Sequence, residues 1–340
     1  MLEGAALLRV VDIGPGVFEG AKNETMIIIV QKGIPSRNAA IEFFKTSIRE
    51  FHSINKPELL KQAELLLAEG FSFSARGAPG SRKLLEKLDG VKTRFGDFFR
   101  INQGLRTGDN EKYLSSRRTH PLHRPALGGR DVKRYSYHSQ LYVLYDPKKL
   151  DAPRNEANFN SPEKLVVQEI RNITLPRRIV AAYDNRRFYC LQSTNTINWR
   201  DDNAGRFSMK YALGVLNSNL LNWYFRQRFT SNNHIASNQL VSLPLIVPDI
   251  NKPTDKARHD RLVGLVERML ELNKKKHSGK LAPSQLDRVE RDIASTDAEI
   301  DELVYELHGI TDEEQKIIEG ALWHGLSRDI SSHGKPGSTI

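Results

Sequence analysis

Four stretches combine residue types and spacings able to do chemistry. VVDIGPGVFEG (10–20) sets Asp12 before a Gly-x-Gly turn, the opening of a loop whose glycines let backbone approach a nucleotide. INQGLRTGDNEKYL (101–114) crowds two glycines, Arg106, Thr107, Asp109 and Asn110 into one short span. HPLH (120–123) spaces two histidines three apart, half of a metal site. PEKLVVQEIR (162–171) brackets an apolar run with Glu163, Glu169 and Arg171, part of what a metal nuclease needs.

Each of these chemistries meets a gap. After Gly20 come AKNET and then the β-type run MIIIV, so no helix fits behind the glycine turn. That run ends in Gln31 and Lys32, not in an acid to hold a ribose. A turn between two strands is the expectation for 10–20. HPLH has no carboxylate or cysteine beside it and reads as a proline-bound loop. The aspartate that should precede Glu163 and Glu169 in a nuclease is missing, and no Walker-type loop or Pro-Pro pair occurs. One cysteine, Cys190, excludes an intrachain disulfide and a cysteine-based zinc cage, and fits a reducing cytoplasm.

What remains is basic and polar. GGRDVKRY (128–135) offers Arg130, Lys133, Arg134 and Tyr135; QEIRNITLPRR (168–178) offers Arg171, Asn172, Arg177 and Arg178; QSTNTINWR (192–200) offers Gln192, Thr194, Asn195 and Thr196. Arginine forks suit phosphates and guanine edges, and Asn and Gln suit adenine edges. The net charge of +10 is concentrated there: residues 101–240 hold 22 Lys and Arg against 11 Asp and Glu, whereas 241–340 hold 14 against 18. A basic block between near-neutral ones is the footprint of a polyanion-binding module.

These residues need elements to position them. The length of 340 residues predicts two or three domains. MIIIV (26–30) reads as a buried strand, while IPSRNAAIEFFKTSIREF and KPELLKQAELLLAEG read as loop and helix, with Ser36 or Asn38 as a cap and Gly70 as a stop. SARGAPGSRK (74–83) reads as a linker. Short β-type runs follow at 140–146, 177–184 and 186–197, with DNRR (184–187) as a hairpin turn between the last two. One helix is expected over 209–228, from the spacing of Leu213, Leu216, Leu220, Trp223 and Tyr224. Amphipathic helices are expected at 260–277 and 284–310, the second weakly capped by Ser284 and Asp287, packing on each other without chemistry. The tail 331–340 reads as disordered. No apolar run is long enough to cross a bilayer, and MLEGAALLRV carries no basic leader, so neither membrane nor secretory signal is expected.

INQGLRTGDNEKYL, GGRDVKRY, QEIRNITLPRRIVAAYD, FYCLQSTNTI and LGVLNSNLLNWYFRQRF, in that order, resemble the TaqI-like C-terminal specificity domain. This domain occurs in adenine-specific DNA methyltransferases, including the fused restriction-modification enzymes of type IIG. The helical ending from HDRLVGLVERMLELNKK to IDELVYELHGITDEE resembles the tail of those proteins, and VFEGAKNETMIIIVQKG is similar to the last strands of their methyltransferase domain. The resemblance implies an α+β chain with residues 1–90 as the end of a methyltransferase α/β domain. Residues 91–248 would form a mostly β target-recognition domain with an embedded helix, and 249–330 a helical region. It implies sequence-specific recognition of duplex DNA while the target adenine is flipped out. The S-adenosylmethionine loop and the Asn-Pro-Pro-Tyr loop would lie in a catalytic half outside this chain. No cofactor or catalytic residue is then expected here, S-adenosylmethionine serves the full-length enzyme, and a separate catalytic polypeptide is a candidate partner.

On this reading Arg130, Lys133, Arg134, Arg177 and Arg178 meet phosphates, with Arg171 and Asn172 in the same DNA-facing set. Gln103, Arg106, Thr107, Asn110 and Asn195 lie nearer the bases, and Gly104 and Gly108 bend the loop that carries the first four. Two other readings stay open: a self-sufficient methyltransferase using DIGPG for its cofactor, and a protein-interaction module built on the 260–310 helices.

Overall fold

In the computed structural model, residues 4–19, 24–36, 39–48, 50–51, 56–62, 80–173, 175–200, 203–229 and 233–323 are described. The chain divides into two compact units, residues 1–76 and 77–340. The predicted Asn38 cap, the Gly70 stop and the 331–340 tail lie outside the described residues.

The first unit is a four-stranded sheet of order β2-β1-β3-β4, with β1 Ala5–Pro15, β2 Glu24–Lys32, β3 Ala40–Lys45 and β4 Glu58–Lys61. β1 and β2 are antiparallel neighbours on either side of the predicted turn. Inside the turn the Asp12 carboxylate accepts the Gly14 N–H at 3.0 Å, so the acid of DIGPG braces its own backbone. The segments read as helical contain strands β3 and β4 instead. Ile41 and Phe43 alternate inward onto Leu7 and Val10, a period of two that the apolar cluster Ile41, Phe43 and Phe44 masks in the sequence. MIIIV is a strand as expected, but it is not buried: Met26 to Val30 stand 40–45% exposed on the edge strand β2.

The second unit is mixed α and β. Its helices are α1 Ser81–Asp89, α2 Phe95–Phe98, α3 Asn110–Tyr113, α4 Ala157–Asn160, α5 Met209–Asn217, α6 Asn219–Arg228, α7 Ser237–Val241, α8 Pro253–Lys276, α9 Pro283–Leu307 and α10 Asp312–Trp323. The central sheet has β12 Ala181–Asp184, β11 Lys164–Gln168, β14 Thr194–Trp199 and β5 Phe99–Gln103 in that order, all antiparallel. A second sheet runs β13 Tyr189–Cys190, β7 His123–Leu127, β10 Leu141–Leu144 and β6 Leu114–Ser115. A small ribbon pairs β8 Val132–Lys133 with β9 Ser136–Tyr137.

β11 is the strand on which these layers meet. Leu165 and Val167 join the helical core with Leu213, Trp223, Leu262 and Ile300, while Val166 joins Val143, Phe159 and Tyr189 on the other face. A strand apolar on both faces is a continuous run in sequence, which is how KLVVQ reads. Its first residue, Lys164, is wholly buried and bonds Asp184 Oδ2 at 2.5 Å and the Phe159 carbonyl at 2.8 Å. Asp184 also accepts the N–H groups of Arg186 and Phe188, so DNRR is folded by its own aspartate. It is not a hairpin turn: β12 stays in the central sheet, and β13 crosses to pair in parallel with β7.

Three helical expectations change. The 209–228 helix is two helices, because Ser218 adopts an extended backbone and its hydroxyl caps α6 by accepting the Leu221 N–H. α1 begins at Ser81, inside the expected linker, and buries Leu84 and Leu88. α9 starts at Pro283, where Gln285 Oε1 accepts the Ala282 N–H at 3.0 Å in place of a Ser284–Asp287 cap. α10 follows within the expected helical region, with Ile318 and Leu322 buried in the main core.

His308 closes α9 with its Nδ1 at 2.8 Å from the Val304 carbonyl, and burial pushes its pKa from 6.5 down to about 4. The fold therefore holds it neutral while the unfolded chain protonates near 6.5. Its contribution is full above that pH and is lost as pH falls toward 4, by up to about 3 kcal/mol. Asp301, raised by burial from 3.8 to about 6, acts oppositely: stability is full below 3.8 and is lost as pH rises to 6. Thermal melts of His308→Gln should show a smaller fall in Tm between pH 7 and pH 5 than the parent. An equal fall would contradict the buried neutral imidazole.

Candidate nucleic-acid interface

INQGLRTGDNEKYL folds as the end of β5, a loop, α3 and the start of β6. Gly104 does not bend the chain; it permits a close approach. A Cβ there would fall 2.3 Å from the Leu191 carbonyl oxygen and 2.4 Å from that of Cys190. This contact lets Gly104 N–H reach the Thr194 carbonyl at 2.9 Å and Leu105 N–H reach that of Cys190 at 2.8 Å. Gly108 does turn the chain, at φ 82°. Asp109 then caps α3 by accepting the Lys112 N–H.

The loop forms one wall of an open cleft of about 390 Å³. Gln103, Leu105, Thr107 and Asn110 line it from this side, and Glu169, Ile170, Leu191, Gln192, Ser193 and His234 from the others. Thr107 is buried and its hydroxyl donates to Asn110 Oδ1 at 2.6 Å, leaving the exposed Asn110 amide nitrogen toward solvent. Ser193 Oγ accepts the Gly129 N–H at 2.9 Å, which fixes the turn carrying Arg130 against the cleft wall. The Val132 carbonyl accepts Gln168 Nε2 at 2.7 Å, fixing β8 and its exposed Lys133 to the end of β11.

Of the expected DNA-facing cations, Arg130 and Lys133 are exposed, and neither has a partner among the described residues. Arg106 is exposed but forms an ion pair with Asp151. Asn172 is exposed beside the cleft segment 169–171. The others point inward. Arg134 makes a fork to Asp297, at 2.6 and 2.7 Å, and bonds the Asn217 carbonyl. Arg177 reaches Asp297 at 3.1 Å and Asp301 at 3.7 Å. Burial would lower the Arg134 pKa, yet its hydrogen bonds to Asp297 raise it above the usual value. Burial likewise opposes Asp297, whose pKa is nonetheless held low by Arg134 and Arg177.

Arg178 is 1% exposed and stacks over Phe225; burial, with Arg226 and Arg171 nearby, lowers it to about 10. Arg171 spends its guanidinium on the Arg177 carbonyl and Gln168 Oε1. Asn195 is buried in β14 with Nδ2 on the Ile235 carbonyl at 2.7 Å, and Thr194 and Thr196 are buried with it. The sequence could not separate Arg134, Arg177, Arg178 and Asn195 from the exposed cations, because their partners lie 40 to 163 residues away.

Other candidate chemistry is absorbed into structure. His123 Nδ1 accepts the N–H groups of Thr119 and His120, so HPLH is a self-bracing loop. Glu163 takes Tyr183 and Trp199 at the opposite end of β11 from Glu169. Among the described residues no three His, Cys, Asp or Glu side chains group to hold a metal. Cys190 is buried, and burial pushes its thiol up to about 12. His234, Ser193 and Arg154 were not legible as site residues; His234 sits in SNNHIASN, a polar run with no spacing signal.

Residues 124–245 match the TaqI-like C-terminal specificity domain. The matched span runs from β7 to Leu245, just past α7, and contains Arg130, Lys133 and the Glu169–Ser193 side of the cleft. No curated protein matches the chain. In fold the chain is similar to the solved structure of the Type IIL restriction-modification enzyme MmeI in complex with DNA. The TM-score is 0.53 at 13% identity, over 95% of this chain and 46% of that one. The chain thus spans less than half the length of that enzyme. No helix among the described residues is long and apolar enough to cross a membrane.

Gly104→Ala should destabilise the unit by roughly 2 kcal/mol or more, since its methyl group meets two carbonyl oxygens rather than a flexible side chain. Thermal denaturation beside Gly264→Ala, where a Cβ meets nothing within 4 Å, checks this. A wild-type Tm for Gly104→Ala would contradict the close approach.

Proposed function

We propose that the chain is the target-recognition portion of a restriction-modification enzyme and reads the sequence of duplex DNA. One observation carries this: the part that matches a specificity domain supplies one side of a polar cleft and, fixed to its wall, two cations with no partner among the described residues. Arg130 and Lys133 meet phosphates and set register; Asn110 and Gln192 face base edges, whereas Gln103, expected there from the sequence, spends its amide on Glu169, the Gln192 carbonyl and Arg154. Arg106 and Asn172 stand at the rim. The finer reading is an adenine-specific methyltransferase or type IIG enzyme in the cytoplasm, with S-adenosylmethionine bound by a catalytic half. A separate methyltransferase polypeptide would meet the apolar edge strand β2, whose N–H and C=O groups on one side have no strand beside them among the described residues. The hairpin geometry of DIGPG and the packing of α8 and α9 into the core favour this reading over a self-sufficient methyltransferase or a helical docking module.

Selection from a pool of randomised duplexes, followed by anisotropy titrations between 50 and 200 mM salt, tests the reading. One sequence should be enriched. Arg130→Ala and Lys133→Ala should each weaken binding to all duplexes alike and lower the salt slope by about 1, with Tm unchanged. Arg134→Ala should instead cost roughly 2 kcal/mol of stability, because it leaves the half-buried Asp297 with Arg177 as its remaining cation. A pool that stays random, or an unchanged slope in both single variants, would count against the assignment.

A further inference from the structure

Glu169 is the only carboxylate among the described residues that line the cleft, and its backbone and one carboxylate oxygen are held in place. Its N–H donates to the Ser193 carbonyl at 2.9 Å and its own carbonyl accepts the Ile235 N–H at 2.7 Å. Side-chain atom Oε1 accepts Gln103 Nε2 at 2.7 Å and lies 3.6 Å from His234 Nδ1. Gln103 is fixed in turn, with Nε2 also on the Gln192 carbonyl at 3.2 Å and Oε1 accepting Arg154 Nη2 at 3.2 Å. The second oxygen, Oε2, has no hydrogen-bond partner among the described residues.

A carboxylate can only accept, so the cleft offers one fixed acceptor with apolar Ile170, Leu105 and Leu191 around it. A phosphate would be repelled there. In the major groove guanine presents N7 and O6 and thymine presents O4, all acceptors that would face Glu169 like to like. Adenine N6 and cytosine N4 present amino donors. Building on the DNA-reading assignment, we propose that Glu169 accepts a hydrogen bond from the exocyclic amino group of an adenine or cytosine in the major groove. It thereby selects amino-bearing bases at one position of the target, with Gln103 as the residue that positions it.

The test uses the full chain and its selected duplex. At each position adenine is replaced by purine, or cytosine by pyrimidin-2-one, which removes only the amino group. At one position wild type should lose about tenfold in affinity on amino removal, while Glu169→Met, which fills the space with no acceptor oxygen, should lose nothing there. The purine or the pyrimidinone arm that responds names the base. Circular dichroism checks that Glu169→Met is folded, and its affinity for random duplex is the reference for each comparison. Gln103→Ala should relax that same position and no other, which a merely structural role would not do. If Glu169→Met keeps every positional preference, if it relaxes a guanine position instead, or if preferred and random duplex weaken equally, the inference fails while the DNA-reading assignment stands. If wild type enriches no duplex, both fail.

Discussion

Arg134 and Arg177 reach Asp297 from two different loops of the β region, and Asp301 lies one helical turn along α9. Both arginines also bond the Asn217 carbonyl at the last residue of α5, while Asp301 Oδ1 accepts the Asn219 N–H near the start of α6. One charge cluster therefore ties together the β8–β9 turn, the loop before β12, the break between α5 and α6, and the helical hairpin. The cost of desolvating Arg134 is met by a bidentate partner and a carbonyl. The helices then act as the counter-charge of the β region and fix the loops whose other ends line the cleft.

That arrangement divides the basic surplus in two. Arginines with acidic, carbonyl or aromatic partners hold the fold, as Arg134, Arg171, Arg177 and Arg178 do. Arg130 and Lys133 are fixed through the backbone and their tips have no partner among the described residues, which is why we assign them to a polyanion. The acidic excess of residues 241–340 is the other half of the same balance, since Asp297 and Asp301 both come from it. Net charge by segment counts both kinds of arginine alike.

The sequence carried the existence of most elements and little of their partnership. The apolar run Leu165–Val167 of β11, the two long helices and the turn at DIGPG are local patterns and were readable. DNRR misled because Asp184 folds it locally while β13 leaves for another sheet, which only tertiary pairing decides. Residues 40–45 misled because clustered aromatic and aliphatic residues hide their alternation. The opening loop of the site was legible from its glycines and polar residues. Glu169 was visible as a carboxylate but not as a cleft residue, because the groups that hold it come from β5, the 192–193 turn and segment 234–235.

The central claim is that duplex DNA meets the cleft and the Arg130–Lys133 turn, and that the Asp297 cluster stays internal. Amide hydrogen exchange of the full chain with and without its selected duplex, at low salt, tests it most directly. The account predicts new protection in peptides covering residues 104–110, 128–133 and 191–193, with the helices bearing Asp297 and Asn217 unchanged. Protection centred on α8 and α9, with the cleft loops unaffected, would contradict it.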